Sequence, residues 1–373
     1  MISFTEHFGG GAALRRRTIW RGDDRLVPGI VTDQCRAFKL RAPTSPATTM
    51  RAVAHNGSVY VLVPSVGQTI YTSTDLVTLT ARPLSINGFK SLSPDGAFSI
   101  GEGLLVCGAG VLSSDAATRF AVYSMDNGAT WAWISTPGTA SFMHSSGGRV
   151  HATGTPAASF WVSASASGPW VQRNFPENAG VGTAWNTVVF NGATWLALAL
   201  GNDGVNGSAC ATSVDGETFS SATPAWLAAN RLMPVPASRA FVRGGKFIAL
   251  GWKRGSNFIA LMDGADGVTW HQRGSYTLNS PPSRVLHDVS RRAIEIGGVL
   301  YAGALLAWGD KYITTLLSTA DGENWRLHGD GEVLSQAPAS IELQQRAGTS
   351  SIVMCGGLLE TDVDNGMELY YEL

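Results

Sequence analysis

A dominant charge of one sign is what this chain most clearly lacks. Its 373 residues include 27 basic and 28 acidic side chains, for a formal net charge of −1. Such a balance gives no broad field to hold nucleic acid or an anionic bilayer. Charged residues make up only 15 %, against 44 % hydrophobic ones, a composition that can bury a core and is not that of a disordered chain. Cysteine is scarce. Cys35, Cys107, Cys210 and Cys355 lie too far apart for a zinc ribbon or a disulfide framework, and they read as free thiols of a reducing cytoplasm. Long apolar runs are missing as well: Trp195 to Leu200 is typical and falls far short of the roughly 18 residues that a span needs, so no membrane insertion is expected. The opening residues 1–8 lack a basic segment followed by an apolar one, which predicts no secretion signal. Phosphate-loop, zinc-protease, serine-hydrolase and paired-cysteine motifs are all absent. Asp362, Asp364 and Gly366 offer too few ligands for a calcium loop, so neither metal nor cofactor is expected.

Glycine, by contrast, is abundant, with 44 residues, and it is periodic. Turn glycines recur at 57, 103, 148, 192, 245, 298 and 348, in steps of 44 to 53 residues. A short apolar strand follows each of them, for example Val59 to Val63, Thr194 to Leu198 and Phe247 to Leu250. Asn-Gly and Gly-Gly provide the positive φ that a tight hairpin demands. Further along each repeat comes a second hairpin with an Asp/Gly turn and an aromatic. Tyr123 to Trp131 is the clearest copy, with relatives at Thr212 to Phe219, Asp263 to Trp270 and Ser318 to Trp325. An aspartate there accepts from backbone N–H groups, the glycine takes the left-handed position, and the aromatic packs across neighbouring strands. A turn aspartate repeated in most units is a fold device and does not make one active site.

Ser124-Met-Asp126-Asn-Gly128-Ala-Thr130-Trp131 fits every fixed position of the Asp-box (BNR) signature, and from about residue 50 onward the chain resembles the Asp-box β-propellers. In the other copies the aspartate directly precedes the glycine. The resemblance implies an all-β, seven-bladed β-propeller of four-stranded antiparallel blades. The innermost strands are predicted at 51–55, 97–101, 141–145, 185–190, 240–243, 293–296 and 341–345. The last unit reads as three strands, so residues 35–43 are expected to supply its outer strand, an N-terminal strand pairing with the C-terminal blade. Residues 35–373 then form the propeller, and residues 1–34 form a docking arm in which Arg15, Arg16, Arg17, Trp20 and Arg21 suit a partner surface.

Propellers of this kind hold ligands at a mouth of the central channel, so the innermost strands and their loops carry the candidate ligand-binding residues: Arg51, His55, Glu102, His144, Arg243, Arg291, Glu295 and Glu342. Carboxylates beside guanidinium groups suit a sugar or its carboxylate. A wet channel whose charges pair with one another is the bland reading of the same residues. Sialidases share the Asp-box fold, and Arg51, Arg243, Arg291 and Glu295 would be the residues of a sialidase-like glycoside hydrolase. However, Arg51-Ala-Val lacks that family's proline, and Tyr301 and Tyr312 fall in second and third strands, not where a nucleophile would stand. No catalytic residue is therefore assigned. The resemblance points to a non-enzymatic virion protein of a bacteriophage tail or fibre, made in the host bacterial cytoplasm. Its arm would hold other virion proteins, and one propeller face would meet host surface glycan or another virion protein.

Overall fold

In the computed structural model the described residues are 36–39, 50–64, 67–76, 78–134, 140–154, 159–176, 184–200, 209–222, 237–252, 258–277, 284–309, 311–321, 326–327, 333–334, 342–345, 352–355 and 369–372. Every regular element among them is a β-strand. The chain enters with β1 (Arg36–Lys39). Blade 1 follows as β2 (Met50–His55), β3 (Tyr60–Pro64), β4 (Thr69–Ser73) and β5 (Thr80–Pro83). Blade 2 is β6 (Phe89–Ile100), β7 (Gly103–Leu112), β8 (Ala117–Ser124) and β9 (Ala132–Trp133). Blade 3 is β10 (Ala140–Ser146), β11 (Arg149–Gly154), β12 (Ser159–Ser163) and β13 (Val171–Asn174). Blade 4 comprises β14 (Ala184–Phe190), β15 (Trp195–Leu200), β16 (Ala209–Ser213) and β17 (Ser220–Ala222). Blade 5 comprises β18 (Ala237–Arg243), β19 (Lys246–Trp252), β20 (Phe258–Gly264) and β21 (His271–Thr277). Blade 6 comprises β22 (Arg284–Ile296), β23 (Val299–Trp308), β24 (Lys311–Thr319), β25 (Arg326–Leu327) and β26 (Val333–Leu334).

The expectation of seven like four-stranded blades is corrected here. Six antiparallel blades, not seven, are each built from one contiguous stretch of chain. Blade 6 has five strands, because β26 pairs with β24 at Tyr312↔Leu334 and Ile313↔Val333. The remaining sheet is of another kind. Its inner half is β27 (Glu342–Gln345) and β28 (Ile352–Cys355), and its outer half is β29 (Leu369–Glu372) and β1, drawn from opposite ends of the chain. Among the described residues the halves meet through Ile352↔Tyr371 and Val353↔Tyr370. The sheet lies between blades 6 and 1, where β27 touches both β22 and β2.

The innermost strands β2, β6, β10, β14, β18, β22 and β27 adjoin one another in a closed circuit around a central channel. Hydrophobic cores lie between the blades. One joins Ala52, Val61 and Ile70 of blade 1 to Leu104, Val106 and Val122 of blade 2. Another stacks Phe160 and Phe175 of blade 3 on Trp185 and Trp195 of blade 4. Strands covered on both faces read as unbroken apolar runs, which is why β3 is buried at every position while the outer strand β5 is largely exposed.

Candidate functional site

Each innermost strand of the six contiguous blades leads into a tight turn. The turn glycines Gly57, Gly101, Gly147, Gly192, Gly244 and Gly297 all have positive φ, between 51° and 102°, a region an L side chain rarely occupies. In blades 1 and 4 a backbone bond from Asn56 to Val59, or from Asn191 to Thr194, closes the same two-residue turn. Upstream of every turn the register slips. The shift falls between Met50 and Ala52 in β2, Pro94 and Gly96 in β6, Ala140 and Phe142 in β10, Trp185 and Thr187 in β14, and Ala237 and Arg239 in β18. In β22 the slip is larger: Ser290, Arg291 and Arg292 stand opposite Gly303 alone, and the Gly303 N–H donates to Ser290 Oγ at 2.9 Å.

Counting back six residues from each turn glycine reaches the bulge every time, at Arg51, Asp95, Ser141, Asn186, Ser238 and Arg291. All six are polar. Glu342 stands at the same offset from Gly348 and opens β27, the inner strand of the closing sheet. β6 and β22 carry a further shift upstream, between Phe89 and Ser91 and between Leu286 and Asp288, and bulges of this kind bend strands and gather next to binding sites.

The sequence-derived candidates therefore divide into two levels. Arg51 and Arg291 occupy bulges, whereas Glu342 opens β27, which pairs with β28 without a shift. His55, Arg243 and Glu295 lie at the turn ends of β2, β18 and β22, Glu102 is in the turn after β6, and His144 is between the levels in β10. Four residues of strand separate Arg51 from His55 and Arg291 from Glu295, about 13 Å at the usual rise, so the eight do not converge on one mouth. At the turn level His55 lies against Tyr60, with ring centroids 4.1 Å apart, and its Nδ1 accepts from the Gly57 N–H at 3.3 Å. Burial lowers its pKa. Arg243 donates from Nη2 to the carbonyl of Gly298 at 2.9 Å and to that of Ala320, both in blade 6. Arg15, Arg16, Arg17, Trp20 and Arg21 lie outside the described residues.

The turn face is otherwise made of contacts between blades, most of which have no signature in the sequence. Asn56 donates to the Glu102 carbonyl at 2.6 Å and to Asn127 Oδ1 at 2.9 Å, both in blade 2. Asn191 repeats this from blade 4 to blade 5, donating to the carbonyls of Gly245 and Ala265 at 3.0 and 2.7 Å. Between blades 3 and 4, Glu217 accepts from Arg149 and Arg173, both at 2.8 Å. Beside it the fully buried His151 bonds through Nε2 to the Gly216 carbonyl at 2.7 Å, a contact that makes Nε2 the protonated nitrogen. Burial pushes the pKa of His151 down to about 4, against the opposing pull of that carbonyl. Only the Asn-Gly dipeptides signal any of this, and they are legible as turns, not as latches.

The Asp/Gly turns belong to the same face. Asp126 Oδ1 accepts from Ser124 Oγ at 2.7 Å and from the Thr130 N–H at 2.9 Å, and Oδ2 accepts from Thr130 Oγ1 at 2.6 Å. Those bonds, led by the one from the Thr130 hydroxyl, bring its pKa down to about 2. Asp215 is held equally by the N–H groups of Thr218 and Glu217. A carboxylate so fully engaged stabilises its turn as an anion and holds no proton to give near neutral pH. Among the described residues no group of three or more His, Cys, Asp or Glu could hold a metal ion.

No protein-family model matches the chain, and no curated protein matches it. Solved structures do. YCF48 from Cyanidioschyzon merolae is similar over 89 % of this chain and 97 % of its own, at 12 % identity and a TM-score of 0.52. A catalytically inactive virginiamycin B lyase from Staphylococcus aureus, solved with quinupristin, is similar over 91 % and 100 %, at 11 % identity and a TM-score of 0.55. The structure of U3-55K covers 90 % and 98 %, at 10 % identity and a TM-score of 0.54. At such identities the likeness is one of fold alone, and the chain is a β-propeller.

Proposed function

We propose that this chain is a non-enzymatic binding module of the Asp-box kind. In this reading it is a virion component of a bacteriophage tail or fibre that is mounted through residues 1–34 and offers a propeller face to host glycan or another virion protein. One observation carries the non-enzymatic part. On the turn face the groups that chemistry would need are bonded to neighbouring blades or within their own turns: Arg243 to Gly298, Asp126 to Thr130 and Glu217 to two arginines. Arg243 in particular is occupied with two backbone carbonyls and stands a strand's length from Arg51 and Arg291, which disfavours a three-arginine carboxylate clamp of the sialidase type. The virion setting is carried by the sequence resemblance and by the arginine-rich arm.

Purified protein incubated with sialylated and neutral glycans tests the enzymatic side, with released sugar measured by chromatography. No release is expected, and turnover abolished by Arg51→Met would overturn the reading. Removal of residues 2–34 should leave the melting temperature unchanged and prevent incorporation into particles. Normal incorporation of the truncated chain would refute the mounting role.

A further inference from the structure

We infer that the turn face is a docking surface for a basic polypeptide segment, one in which arginine or lysine alternates with apolar residues. The inference rests on the binding-module reading and says which class of partner one face takes. Five large apolar side chains are exposed among the described residues: Met125, Trp133, Val171, Val214 and Val268. Exposed apolar residues scattered singly over a surface need no explanation. These five are not scattered. Met125, Val214 and Val268 stand in the Asp/Gly turns of blades 2, 4 and 5, and Trp133 and Val171 lie at the start of the outer strands of blades 2 and 3. The turn itself asks for none of them, since the aspartate and the glycine supply its bonds and its positive φ. In blades 2, 4, 5 and 6 the position just before the turn aspartate is exposed, yet it holds Met125, Val214, Ala265 and Ala320.

Charge selects the partner. Exposed carboxylates stand among those tips at Glu102, Asp126, Asp215, Asp266 and Glu295. Among the described residues of the same turns Lys246 is the one exposed cation, 4.0 Å from Asp263. The half-buried Arg149 and Arg243 are taken up by Glu217 and by backbone carbonyls. A chain of net charge −1 thus concentrates negative charge on one face, which repels nucleic acid and anionic lipid and attracts a cation. The Thr130 hydroxyl on Asp126 and the Thr218 N–H on Asp215 hold both carboxyls below the usual range, so they stay ionised. A free cation would satisfy the charge but leave Met125 and Val214 in water. An arginine covers both, its guanidinium pairing with a carboxylate while its stem lies on the neighbouring apolar group. Each tip is also fixed before binding. Asp126 and Asp215 clamp their own turns, so little entropy is lost when a partner lies down on them.

The test uses the full chain and short labelled peptides, followed by fluorescence anisotropy: arginine alternating with leucine, arginine alternating with serine, and glutamate alternating with leucine. The arginine–leucine peptide should bind roughly tenfold more tightly than the arginine–serine one, and the glutamate–leucine one should not bind. Affinity should fall as sodium chloride rises. Met125→Ser and Val214→Ser together should weaken the arginine–leucine peptide by roughly tenfold. Glu102→Gln with Glu295→Gln should flatten the salt dependence, and Asp115→Asn, on the β7–β8 loop at the other end of blade 2, should change neither. In the unmodified protein the bound peptide should slow hydrogen-peroxide oxidation of the Met125 thioether, read by mass spectrometry, a signal that no folding defect can mimic. Equal binding of the two arginine peptides, affinity indifferent to salt, unaltered affinity in the Met125/Val214 variant, absence of protection at Met125, or no binding by any peptide would each overturn the surface. Glycan binding without peptide binding would overturn the surface and leave the binding-module reading standing, whereas sugar release from a glycan would remove that reading and leave the surface.

Discussion

The side-chain amide of Asn56 reaches the backbone carbonyl of Glu102 at 2.6 Å and so ties the inner turn of blade 1 to that of blade 2. Asn191 does the same from blade 4 to blade 5, and Arg243 from blade 5 to blade 6. Three side chains at the turn ends of inner strands thus act alike, holding adjacent blades together at the turn face, where the interblade cores run out.

Asn191 is engaged as fully as Asn56, because its Oδ1 also accepts from the N–H groups of Ala193 and Thr194 at 3.0 and 2.8 Å, as Asn56 Oδ1 does from those of Ser58 and Val59. Replacing it with alanine removes the latch and loosens the turn together. We expect Asn191→Ala to lower unfolding stability by about 2 kcal/mol, read from the shift of the urea midpoint at unchanged slope. Asn191→Asp keeps the turn acceptor but turns a donor into an anion facing two carbonyls, and it should cost at least as much.

His151 makes stability depend on pH. Its pKa is about 4 in the folded protein, against an ordinary value near 6.5, because the neutral ring is buried among Trp195, Phe160 and Phe219. Above pH 6.5 the ring is neutral whether the chain is folded or not, and its full contribution is present. As pH falls from 6.5 towards 4 the unfolded chain takes up the proton first, and roughly 3 kcal/mol is lost across that window. Thermal melts between pH 7.5 and 4.5 should show this loss, and His151→Gln should flatten the profile over the same range.

Glu217 joins Arg149 and Arg173 into one three-membered ion cluster across the boundary of blades 3 and 4. Its members are about one-third exposed, so solvent screens much of the attraction. Glu217→Gln should destabilise by less than about 1 kcal/mol in low salt, and the difference from the unmodified protein should shrink in 0.5 M sodium chloride. A difference that persists in high salt would mean that packing, not charge, accounts for the effect.

What is legible in the sequence follows from what repeats locally. The turn glycines, the apolar second strands and the Asp/Gly hairpins each place their signal within a few neighbouring residues, so the propeller and most of its inner strands can be read directly. Interblade contacts join residues 44 to 77 positions apart, as with Phe190 and Ser146 or Arg243 and Ala320, and no local pattern announces them. Ser93-Pro94-Asp95-Gly96 is a turn by every local rule, yet β6 runs through it, because a bulge can absorb the same backbone preferences that a turn uses. The last sheet passes for one more like blade when its strands are taken singly, because a sheet assembled from both ends of the chain carries the same local strand signals as one built from a single stretch. The six-residue offset from turn glycine to bulge is present in the sequence too. It becomes visible only once register shows that those positions share a height.

Gly108 is where that passage of β6 through a turn-like sequence can be tested. A Cβ added there would stand 2.3 Å from the Ser93 carbonyl oxygen and 2.6 Å from Pro94 Cα, both of them backbone atoms that cannot swing aside. Only glycine lets β7 approach β6 closely enough to keep pairing on both sides of Asp95. Gly108→Ala must therefore push the two strands apart just beyond the bulge, at a cost of about 1–3 kcal/mol for overpacking. The strain falls upstream of the bulge, whereas the pairs from Gly96 to Ile100 lie on the other side of it and should survive. Amide hydrogen exchange is expected to rise sharply over 89–95 and 108–112 and to change little over 96–106.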